Sequence, residues 1–193
     1  MKKTLLACMC AATMFAVSCS SDGNKTSETP GTEQTAEQAA PPHMANEAAR
    51  KGLTVVYDKY HEIKDALVKS DAATAKARAG ELASSLSFDI STLTADEKVQ
   101  WEAQRNTLQS AAEKMVQAAD LKAQREAFAG MSIGMEKSIA AIGLYDKTVY
   151  KQFCPMALDD KGATWIASEE KVYNPYFGDE MLTCGSVEQT MKY

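Results

Sequence analysis

The chain has 193 residues and a formal net charge of −5. An acidic chain without a Lys/Arg cluster excludes a nucleic-acid partner and a basic patch for anionic lipid. Its length suits one domain preceded by export and spacer segments.

Residues 1–18 read as a bacterial lipoprotein signal peptide. Lys2 and Lys3 supply the positive start, Leu5 to Val17 is mostly apolar, and Ala16-Val17-Ser18 places small residues before Cys19. The apolar run is short for a membrane span and no stop-transfer pattern follows. Cleavage leaves Cys19 as the lipidated first residue and takes the charge from −5 to −7 by removing Lys2 and Lys3. The expected location is the cell envelope, with the lipid in the outer membrane and the domain periplasmic or surface-exposed. Disulfides are permitted there.

Residues 19–46 are rich in Ser, Thr, Gly, Glu, Gln, Ala and Pro. Such a composition cannot bury enough apolar surface to offset ordering entropy, so it predicts a disordered tether. His43 beside Met44 makes a poor metal site.

From residue 47 onward four helical patterns follow. Leu53, Val56, Tyr60, Ile63 and Leu67 form one stripe, and Ser70 or Asp71 caps the next helix. Ala72, Ala75, Ala79, Leu82 and Leu86 share a face there, and small residues imply close approach. Thr94-Ala95-Asp96-Glu97 is a capping-box sequence that opens a third helix with Trp101, Leu108, Ala112, Met115 and Ala119 on its stripe. Asp120 caps a fourth carrying Ala127, Phe128, Met131, Met135 and Ile142, and Gly143 ends it. Short connections predict an all-α fold, an up-and-down antiparallel four-helix bundle. Gly130 and Gly134 in the fourth helix each cost about 1 kcal/mol relative to alanine unless packing requires them.

No Glu-x-x-His motif supports a carboxylate-bridged metal centre in the bundle. His61, the only histidine of the domain, lies beside the first stripe and reads as a boundary residue. Nothing resembles a Ser-His-Asp arrangement, a phosphate loop or Cys-x-x-Cys spacing, so the chain is not expected to be an enzyme.

After Gly143 the patterning changes. Val149, Tyr150 and Phe153 are strand-like but short, and Asp159-Asp160-Lys161-Gly162 is a solvated turn. An irregular extension is expected to pack on the bundle through Trp165, Tyr176 and Phe177. This tail carries two soft-donor pairs, Cys154/Met156 and Met181/Cys184. Chain reversal would bring them together. Thiolate and thioether donors select Cu(I) or Ag(I) over hard cations. Cys154 and Cys184 are equally suited to a disulfide, which would contribute about 3–4 kcal/mol and pin the tail.

The segments Cys154-Pro155-Met156-Ala157, Gly162-Ala163-x-Trp165 and Asn174-Pro175-Tyr176-Phe177-Gly178-x-x-Met181-Leu182-x-Cys184-Gly185-x-Val187 together resemble the signature of the DUF3347 domain. Gln124-Arg125-x-x-Phe128-x-x-x-Ser132 resembles its helical part, so the similarity spans residues 51–189. That family is common in exported proteins of Bacteroidetes and also occurs at the end of heavy-metal efflux adaptor proteins. The resemblance implies copper or silver handling, efflux components as partners, and structural roles for Trp165, Asn174, Pro175, Tyr176, Phe177 and Gly178.

Overall fold

The computed structural model describes residues 46–193. The signal segment, Cys19, His43 and all of the tether except Asn46 therefore lie outside the described residues.

Four helices form where the periodicity places them: α1 Glu47–Val68, α2 Ala72–Ser85, α3 Ala95–Gln117 and α4 Leu121–Ile142. The α1 stripe of Leu53, Val56, Tyr60, Ile63 and Leu67 is fully buried. Asp71 caps α2 by accepting from the Thr74 amide, and Asp120 caps α4 through the Ala123 amide. The capping box is complete: Thr94 Oγ1 accepts from Glu97 N while Glu97 Oε2 accepts from Thr94 N. Ala119 does not join the α3 stripe. The chain turns extended at Ala118, which leaves Ala119 exposed between two helices.

Consecutive helices pack against each other, and α1 also packs against α4, closing the bundle. Gly134 sets the spacing of α3 and α4. A side chain there would stand 3.2 Å from Leu108, so its absence lets the two backbones approach.

The tail is not irregular, which corrects the all-α expectation. It holds β1 Thr148–Cys154, β2 Ala163–Ala167 and β3 Ser186–Lys192, in an antiparallel sheet of order β2-β1-β3. Between β1 and β2 lies the one-turn element Ala157–Asp160, in which Leu158, Asp159 and Asp160 have φ of 55°, 57° and 61°. That handedness costs about 1–2 kcal/mol per residue. β2 lies against α4. Its outward backbone groups are met by two tyrosines. Tyr60 Oη accepts from Ile166 N at 3.1 Å, and Tyr176 Oη donates to the Thr164 carbonyl at 2.7 Å.

Below this edge, Tyr60 stacks on Phe128 with ring centres 5.0 Å apart, and Phe128 meets Tyr176 at 5.8 Å. Such pairs add about 0.5–1.5 kcal/mol each beyond their buried area. Trp165 is fully buried and meets Tyr176 edge-on.

Candidate functional site

Cys154 closes β1 and is fully buried. Register places Phe153 opposite Ser186, so the chain entering β3 passes beside Cys154. Gly185 makes this passage possible. Its φ is 134°, and a side chain there would stand 2.7 Å from the Phe153 carbonyl. Cys184, half-buried, is thereby brought to 2.7 Å from Cys154, sulfur to sulfur.

The Asn174–Gly178 run holds this arrangement. Asn174 is fully buried: its amide N donates to Leu182 O, its Nδ2 donates to Cys184 O, and its Oδ1 accepts from Tyr176 N, each at 2.8 Å. The Pro175 carbonyl accepts from Arg125 Nε at 3.0 Å, anchoring the loop to α4. Gly178 is buried beside Arg125 and Ser70, and Phe177 packs partly against the core.

The sulfur of Cys154 pushes the Cys184 thiol up to about 11, helped by burial and by the charge Cys154 would carry. Two sulfurs this close cannot both ionise readily unless a cation stands in for the protons.

Among the four soft donors expected from sequence, the two thiols are brought together. Met156 is 45% exposed and faces a surface hollow with Lys122, Arg125, Asp159 and Phe177. Met181 is half-buried after the 3₁₀ turn Gly178–Glu180, and its carbonyl accepts from Cys184 N at 3.0 Å.

A second cluster was missed in the sequence. His61 is more than a boundary residue: its Nε2 lies 3.1 Å from Glu169 Oε2 and 2.7 Å from Ser168 Oγ, and its Nδ1 lies 3.6 Å from Asp65 Oδ2. Lys64, only 1% exposed, pairs with Glu169 and with Asp65 Oδ1. Burial pushes the Glu169 carboxyl up, but bonds from His61, Lys64 and Ser168 outweigh it and hold the group at about 2. Ser168, His61 and Asp65 do not form a nucleophilic relay. The carboxylate contact exceeds hydrogen-bond length, and Ser168 donates instead to Glu169 Oε2. The His61/Asp65 spacing was a visible helical signal; Glu169, 108 residues from His61, was not.

Residues 56–147 match the model of the family described as protein of unknown function (DUF3347). Over these residues the chain is similar to the DUF3347 family. The match covers most of the helical region and stops before Cys154, so the tail motif lies beyond it. No curated protein and no solved structure matches the chain. Within the match, the Gln124/Arg125/Phe128/Ser132 pattern forms one patch of α4. Gln124 Nε2 donates to Ala72 O, while Arg125, Phe128 and Ser132 touch Pro175 or Tyr176. In this chain the helical and tail motifs are two halves of one contact.

Proposed function

We propose that this DUF3347-like protein is a non-catalytic envelope lipoprotein, anchored through Cys19, that binds Cu(I) or Ag(I) at Cys154 and Cys184. The observation that carries this reading is the meeting of two thiols separated by thirty residues at the end of β1. Soft sulfur donors suit these monovalent ions. The suppressed ionisation of Cys184 is what a bound cation would relieve, with release of protons. Met156 and Met181 are the proposed supporting thioethers, and Met156, which faces a hollow lined by neither cysteine, would have to turn toward the thiols to serve. Heavy-metal efflux components are the proposed partners, and the lipid is the proposed attachment to the outer membrane.

The sulfur separation favours a second reading. With metal–thiolate bonds of about 2.3 Å, two sulfurs on one ion stand roughly 4 Å apart. The observed 2.7 Å requires the pair to open before an ion enters. A disulfide staple needs less movement, and the domain would then be a structural or interaction module with a fixed tail.

Anaerobic titration of the reduced protein with Cu(I) separates the readings. Submicromolar binding with proton release, lost in Cys154→Ser/Cys184→Ser, supports metal handling. Absence of binding, together with a complete disulfide in protein isolated from cells, supports the staple.

A further inference from the structure

We infer that His61, Asp65 and Glu169 form a site for a borderline divalent cation of the Zn(II) type, separate from the two cysteines. One donor atom from each residue lies within 4.8 Å of the others. Imidazole nitrogen with carboxylate oxygen is a donor set for Zn(II) and Cu(II), not for Cu(I). His61 and Asp65 are one turn apart on α1, and Glu169 comes from the segment after β2, so an ion would join the bundle to the sheet.

Three further features describe a built site. The residues border a surface pocket with Val68, Lys69 and Tyr173, which gives an ion access from solvent. The Glu169 loop is held from beneath, since buried Gln152 donates through Nε2 to the carbonyls of Glu169 and Glu170 at 2.9 and 3.0 Å. The Tyr57 hydroxyl is buried without a hydrogen-bond partner, its ring 6.1 Å from the His61 imidazole.

Lys64 is the resident counter-ion. It engages Asp65 Oδ1 and Glu169 Oε1, while the other oxygen of each carboxylate faces His61. Lys64 holds one oxygen of each carboxylate and Lys69 borders the same pocket, so both lysines weaken the hold on a cation. The expected affinity is micromolar, tightened when the Lys64 charge is removed.

Because the donors differ from the thiols, this inference can fail without affecting the copper reading. The test uses the full chain carrying Cys154→Ser/Cys184→Ser, with the remaining thiols alkylated. Zn(II) is titrated against a chromophoric chelator while the His61 imidazole nitrogens are followed by NMR. The expected result is one micromolar site, a shift of the His61 nitrogen resonances, at least tenfold weaker binding in His61→Gln or Glu169→Gln, and tighter binding in Lys64→Met. Unmoved His61 resonances at saturating Zn(II), or equal affinity in the His61→Gln and Glu169→Gln variants, would overturn it. The NMR readout needs neither of these variants to fold.

Discussion

The Asn174 side chain donates to the carbonyl of Cys184 at 2.8 Å while accepting from the amide of Tyr176 at the same distance. One buried amide thus fixes the residue bearing one sulfur of the pair and the residue that plugs the tail into α4. Asn174→Ala would leave the buried Tyr176 amide and the part-buried Cys184 carbonyl without this partner. A loss of about 2–3 kcal/mol is expected in urea unfolding, with faster alkylation of Cys184 in the reduced protein. Unchanged alkylation would mean that Asn174 does not position the thiol.

Gly185→Ala should separate the cysteines. The new methyl group meets the Phe153 carbonyl, and the φ of 134° disfavours any side chain. A destabilisation above about 2 kcal/mol is expected, with slower air oxidation of the Cys154–Cys184 pair. Mass spectrometry of oxidised samples would show a normal yield if the passage beside Phe153 does not matter.

Cys184 should react sluggishly with iodoacetamide near neutrality. Its folded-state value of about 11 lies above the roughly 8.5 of an unfolded thiol. The reduced pair therefore has its full stabilising effect below about pH 8.5, and loses it as pH rises toward 11. Alkylation rates measured across that range should rise with a midpoint near the upper value. A midpoint near 8.5 would show that Cys154 does not act on Cys184.

Glu169 gives the opposite limb. Its folded value of about 2 lies below its ordinary 4.5. Its contribution is complete above pH 4.5 and disappears as pH falls toward 2. Allowing for its partial exposure, Glu169→Gln should cost on the order of 1–2 kcal/mol at pH 7 in metal-free buffer. Denaturant midpoints of the two proteins should converge near pH 2. A gap independent of pH would assign the effect to packing.

Short-range physics was legible. The α1 stripe, the Thr94/Glu97 box and the Asp71 and Asp120 caps all act within one or two helical turns, and each formed as patterned. The pairing of Cys154 with Cys184 followed from there being no other cysteines in the domain. The sheet was hidden because β3 is a mostly polar sequence, Ser186–Lys192, whose place is set by partners more than thirty residues earlier. β1 also places Gln152, an amide, at a fully buried position, which blurs its alternation. The role of His61 depended on Glu169, whose position only tertiary folding decides.

The phenol groups of Tyr60 and Tyr176 occupy the backbone positions on β2 that an additional strand would need. An incoming peptide would therefore have to displace both phenols before it could extend the ladder on that flank. The opposite edge of the sheet, Ser186–Lys192, carries no such pair of phenols among the described contacts.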